Sequence, residues 1–109
     1  MNEPITLESL NEYSPGDAVV YVLRLENAKW YAGYTENAQH RLTNHFHNDG
    51  SAWTKLHKPV AIHSITRASK ALESTITLDL MREHGWENVR GGAWTGTKLA
   101  KAPAALRKR

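Results

Sequence analysis

Two tyrosines, Tyr21 and Tyr31, stand ten residues apart at the hearts of two β-prone runs. If those runs pair as a hairpin around a short turn, the phenols lie on neighbouring strands, close enough to share a catalytic site. A tyrosine in a central strand serves equally well as a core residue with a satisfied hydroxyl. Arg41 and His45 are one helical turn apart and so share a flank, where they either contact a ligand or are simply solvated. Glu73 adjoins Leu72, within reach of Ile76 and Leu80, at the margin of an apolar helical stripe. A carboxylate there either keeps its head in water or becomes a partly buried ligand for a hard cation such as Mg²⁺ or Mn²⁺. Asn88, in Trp86-Glu87-Asn88-Val89, reads as a turn residue, and Gly33 as a bulge or a close backbone approach. The histidines do not form a zinc site: His45 and His47 are two apart on a predicted helix, and the chain has neither HExxH nor any Cys.

The elements that must carry these residues follow from periodicity. Residues 1–17 are a polar lead-in ending in the turn signature Ser14-Pro15-Gly16-Asp17. Ala18 to Leu25 is short, apolar and β-branched, as suits a well-buried strand; Glu26 to Lys29 supplies a turn, and Trp30 to Thr35 the second strand of an antiparallel hairpin. Behind an Asn37 cap, Ala38, Leu42 and Phe46 mark a helix of about three turns that should end near Asn48-Asp49-Gly50, with Gly50 left-handed. A loop with Trp53 leads to a third, less regular strand around Val60 to Thr66. Ala68 to His84 is the longest helix, capped by Gly85. Trp86 to Gly96 reads as an irregular loop, and residues 97–109 as a basic end with a frayed helix. The expected fold is α+β, a small three-stranded antiparallel or mixed sheet with an N-terminal hairpin, flanked by helices.

A chain of 109 residues with 40 % hydrophobic and 23 % charged residues has the composition of one folded domain. Without cysteine there is no disulfide, thiolate site or Cys nucleophile. No run is long and apolar enough for a membrane span and the start is acidic, so the expected location is cytoplasmic or nucleoid-associated, without signal peptide or membrane. The net charge of +3 depends on Lys98, Lys101, Arg107, Lys108 and Arg109 at the end, where no acid intervenes. Within the body, acids dominate residues 1–36, whereas Arg41, Lys55, Lys58, Arg67 and Lys70 face Asp49 alone over residues 37–72. That middle stretch and the tail suit a polyanion, or are solvated surface.

Taken in order, Val19-Val20-Tyr21, Tyr31-Ala32-Gly33, Arg41-Leu42, Glu73 and Asn88 resemble the GIY-YIG nuclease superfamily over about residues 18–90, as a small stand-alone member. Val19 stands for the Gly and Ala32 for the Ile of the motifs that name the family. Gly50-Ser51-Ala52-Trp53-Thr54-Lys55, followed by Pro59, also looks like a loop of the branch that includes structure-selective junction nucleases. The resemblance implies a nuclease-like domain over 18–97 followed by a basic tail over 98–109. It implies one divalent ion, Mg²⁺ or Mn²⁺, held by Glu73, and Tyr21 helping to orient and deprotonate water with Tyr31 hydrogen-bonded nearby, either phenol being the base. Arg41 would hold the scissile phosphate, Tyr34 would assist, and Asn88 would hold the end of the site together. His45 and His40 are additions on the Arg41 flank. The implied reaction is hydrolysis of DNA to 5′-phosphate and 3′-hydroxyl ends. Arg41, Lys55, Lys58, Arg67 and Lys70 would contact branched or duplex DNA, with specificity assisted by a homodimer or a partner protein. A binding module on the same fold and an RNA-directed nuclease are the alternatives.

Overall fold

A computed structural model describes residues 5–47 and 50–107, the side chain of Arg107 excepted. The strand β1 (Val19–Leu25) is the centre of the sheet, hydrogen-bonded to β2 (Lys29–Thr35) on one side and β3 (Pro59–Arg67) on the other, both antiparallel. Its near-continuous apolar run has a physical reason: both faces of the strand are covered. Val19, Tyr21, Leu23 and Leu25 meet Leu10, Leu42 and Trp53 on one face, while Val22 meets Leu80, Met81 and Val89 on the other. The helix α1 (Ala38–Phe46) follows β2 and belongs to the first face, with Asn37 capping it by accepting the His40 N–H as expected. A short helix, α2 (Ala52–Leu56), and the long helix α3 (Ala71–His84) follow, the latter covering the second face. Gly85 ends α3 at φ 93°, the left-handed region that favours glycine.

The irregularity of β3 also has a cause. Ile62 and Ile65, three apart, would face opposite sides of a regular strand; register shifts against β1 pair Ile62 with Leu23 and Ile65 with Tyr21, so both reach the same core.

Several expectations are corrected. The sheet has four strands, because Val89–Gly91 forms β4, parallel to β2, within the stretch read as a loop. Three residues are too few to show a strand period, and only the tertiary pairing with Trp30, Tyr31 and Ala32 defines them. The Trp53 loop contains α2, whose Ser51 cap accepts the Thr54 N–H. The helix α1 ends at Phe46 and Gly50 is not left-handed, while Asn48 and Asp49 lie outside the described residues. The basic end carries a short helix, α4 (Ala104–Arg107), and its described part lies on the domain: Pro103 is buried, and Leu99 and Leu106 pack on the α3-side core.

Candidate active site

The hairpin brings the two phenols together. Tyr21 is 1 % exposed and Tyr31 6 %, with ring centroids 6.3 Å apart. The Tyr21 ring lies across Gly33, its partner on β2, and a Cβ at Gly33 would collide with the Tyr21 hydroxyl. Glycine is therefore required there to seat a side chain; the β1–β2 register is continuous, so no bulge is involved.

From α1, His45 completes a triangle of rings, 5.5 Å from Tyr21 and 5.3 Å from Tyr31. Its Nε2 lies 2.7 Å from the Tyr21 hydroxyl and its Nδ1 3.1 Å from Thr54 Oγ1. The half-buried Arg41, four residues earlier on α1, interacts with both phenols. Burial pushes the Tyr21 phenol well above its ordinary value and Tyr31 adds to this, while Arg41 opposes it. Burial, then the Arg41 charge, lowers His45 to about 4, so its imidazole is neutral at neutral pH.

Glu73 approaches from the other face of the sheet. The apolar stripe of Leu72, Ile76 and Leu80 suggests a margin position, but α3 is turned so that Glu73, Thr77, Leu80 and Met81 form its buried line. Thr77 donates to the Glu73 carbonyl at 2.7 Å. The Glu73 carboxylate sits in the first turn of α3, 3.7 Å from the exposed Lys70 ammonium, and its charge raises the Tyr21 phenol. Tyr34 lies at the rim: it donates to Glu36, which raises it, and the Lys70 ammonium is 5.5 Å from its ring centroid.

Among the described residues no three His, Cys, Asp or Glu side chains gather as a metal cluster. A single buried carboxylate nonetheless fits a hard ion of the Mg²⁺ type, which keeps several waters and takes its remaining ligands from substrate phosphate.

Other expected site residues do not converge here. Asn88 is at the far end of α3, accepting from Lys29 Nζ at 2.7 Å and donating to the His84 carbonyl at 2.8 Å. His84, to whose carbonyl Asn88 donates, is eleven helical steps from Glu73, roughly 16 Å along the axis. It clasps α3 to β2 beside a cleft of about 480 Å³ at the hairpin turn, which is also lined by Arg24, Trp30 and His84. His40 points outward and pairs with Asn44. The basic stretch is not one patch either. Lys58 adjoins Glu26 at the hairpin-turn end of β3, Lys55 is exposed on α2, and Arg67 is bound to the Glu12 carbonyl at the opposite end of β3. A nine-residue strand makes that separation roughly 26 Å. Lys70 alone of these four adjoins Glu73. Thr54, present in the Gly50–Lys55 motif but given no role by it, joins the cluster through His45; its local signal is the Ser51-to-Thr54 spacing of a helix cap behind Gly50.

No curated protein and no solved structure matches the chain. A family model described as the GIY-YIG catalytic domain does, over residues 17–85, a span that contains both phenols, Arg41, His45 and Glu73. With that match covering more than half of its length, the chain belongs to the GIY-YIG family.

Proposed function

We propose that this chain is a divalent-metal-dependent endonuclease that hydrolyses phosphodiester bonds in DNA. Family membership supplies the general expectation of nuclease chemistry on DNA. The observation that carries the finer reading is the meeting of Tyr21, Tyr31, Arg41 and His45 in one cluster on which the Glu73 charge acts.

Arg41 is placed to bind a phosphate through its planar fork and to stabilise the extra charge of the transition state. Tyr21 holds the attacking water. Because burial keeps its phenol protonated at neutral pH, Tyr21 accepts a proton from water only by passing its own onward, and His45 Nε2 is the acceptor within reach. As the water oxygen bonds to phosphorus, the bond to the 3′-oxygen breaks and that oxygen takes a proton from solvent. The products are a 5′-phosphate and a 3′-hydroxyl, with His45 left as imidazolium. Burial is the larger cause of the lowered His45 value and the Arg41 charge the smaller; a phosphate seated on Arg41 offsets the second and so raises the basicity of the acceptor in part. Glu73 would hold the cation, which when bound stabilises charge on the leaving oxygen. Lys70 and Arg41 are the cations positioned to meet the DNA backbone at the site, while Tyr34 lines the rim.

The test is incubation with supercoiled plasmid, a branched duplex and single-stranded DNA in Mg²⁺, Mn²⁺ or EDTA, beside Glu73→Ala and Tyr21→Phe. Metal-dependent nicking that both substitutions abolish is expected. Binding that weakens steeply with salt, without cutting of any substrate, would replace the nuclease with a binding module on the same fold.

A further inference from the structure

His45 is 0 % exposed and Thr54 1 %, so the polar contacts between them are made without water. Thr54 Oγ1 has one proton, and on the Ser51 side it meets the carbonyl at 3.1 Å, which can only accept, and the Ser51 hydroxyl at 3.3 Å, the longer contact, which can donate to it. With that proton donated to Ser51, Thr54 Oγ1 must accept at its 3.1 Å contact with His45 Nδ1, which places the imidazole proton on Nδ1. The opposite end of the ring leads to the same assignment. The Tyr21 hydroxyl is buried beside Arg41, which is a donor only, and His45 Nε2 at 2.7 Å is the acceptor for its proton. Gly50 is part of the arrangement, since a Cβ there would run into His45 Nδ1 and would stand 2.7 Å from Thr54 Oγ1.

We propose that Thr54 is a positioning residue: accepting the His45 Nδ1–H and donating onward to the Ser51 carbonyl, it holds the ring as its Nδ1–H tautomer and turns the Nε2 lone pair to the Tyr21 hydroxyl. In the opposite tautomer Nε2 would carry a hydrogen and donate to Tyr21, closing the exit for the phenol proton. The segment from Gly50 to Thr54 thereby supports the proton path through His45. The catalytic half of this proposal rests on the nuclease reading above; the tautomer does not.

Histidine-selective ¹⁵N labelling and NMR at neutral pH read the tautomer directly in the metal-free full chain, and nicking of plasmid is measured on the same samples. The expected result is a protonated Nδ1 and a bare Nε2 in the wild type and in Thr54→Ser, which keeps the hydroxyl. Thr54→Val should shift the population towards Nε2–H and slow nicking about 100-fold, an effect of the size associated with proton transfer by a positioned side chain. A wild type protonated on Nε2, or a folded Thr54→Val that keeps Nδ1–H, overturns the proposal. A Thr54→Val whose tautomer shifts while nicking stays at the wild-type rate overturns its catalytic half. If Thr54→Val does not fold, the wild-type and Thr54→Ser spectra still decide the tautomer. A wild type that cuts nothing defeats the nuclease reading and leaves those spectra to decide this one.

Discussion

Two arginines of this chain are withdrawn from water and used in opposite ways. Arg90, on β4, is 3 % exposed and its guanidinium is spent on carbonyls: Gly96 at 2.6 Å, Val89 at 2.8 Å, Trp86 at 3.1 Å and Thr97 at 3.4 Å. Its carbon also lies 4.3 Å from the ring centroid of Trp53, whose indole N–H donates to the Trp30 carbonyl. Arg41 is half-buried and turned to two phenols, and among the described residues its guanidinium makes no hydrogen bond to a backbone carbonyl. A guanidinium whose donors all end on the chain's own carbonyls holds a fold together. One that faces titratable hydroxyls and keeps donors spare is available to a phosphate.

The contrast can be broken most directly at Arg41. Arg41→Ala should lower plasmid nicking by about 10²- to 10³-fold, as does loss of one group that stabilises transition-state charge, with little change in the melting temperature. A melting temperature that falls as far as that of an Arg90 variant would make Arg41 a structural residue too.

The next effect belongs to His45, the buried neighbour of Arg41. Its folded-state value of about 4 lies below the ordinary 6.5 that the unfolded chain should retain. The unfolded chain thus takes up the proton first. The contribution of His45 to stability is fully present above pH 6.5 and is lost progressively as the pH falls to about 4, by roughly 3 kcal/mol. Urea unfolding between pH 4 and pH 8, comparing wild type with His45→Asn, should show a shallower acid loss in the variant; parallel curves would mean that the imidazole is not held neutral.

Arg90→Met should cost about 2 kcal/mol by leaving carbonyls unpaired, a fall in melting temperature on the order of 10 °C, with nicking per folded molecule unchanged. Loss of nicking beyond the unfolded fraction would tie the β4 knot to the chemistry. Asn88→Ala tests the same division at the far end of α3. It should cost about 1 kcal/mol in chemical denaturation through the lost bonds to Lys29 and His84, and leave nicking at the wild-type level. Slower nicking by a fully folded variant would return Asn88 to the site.

The hairpin and both long helices were legible because each has a period that a folded core must respect. In β1, the β-branched run and the turn after it are sufficient; in α1, Asn37 and the four-residue spacing from Ala38 to Leu42 show the start and the buried side. The helix α3 was legible as a helix but not in its rotation. Leu72 and Ile76 are only partly buried while Glu73 and Thr77 lie in the buried line, since Thr77 satisfies its hydroxyl on the backbone and Glu73 lies beside Lys70. Hydrophobicity ranks side chains by transfer from water and does not register polar groups that find partners inside. For the same reason Thr54, though it stands in the Gly50–Lys55 motif, carries no role that hydrophobicity could show, while Asn88 owes its expected place in the site to the family pattern alone.

By itself the sequence determined the α+β class, the hairpin that sets Tyr21 beside Tyr31, the helical turn from Arg41 to His45, and the family pattern that joins them to Glu73. Those are local periods and an order of residues, and both are carried by the chain alone. Only the tertiary structure decided that the basic stretch is divided between the two ends of β3, that β4 exists, that Asn88 clasps the far end of α3, and that Thr54 meets His45. Each of these depends on which distant segment supplies the partner for a polar group or a strand edge, and that choice is made by packing the whole chain.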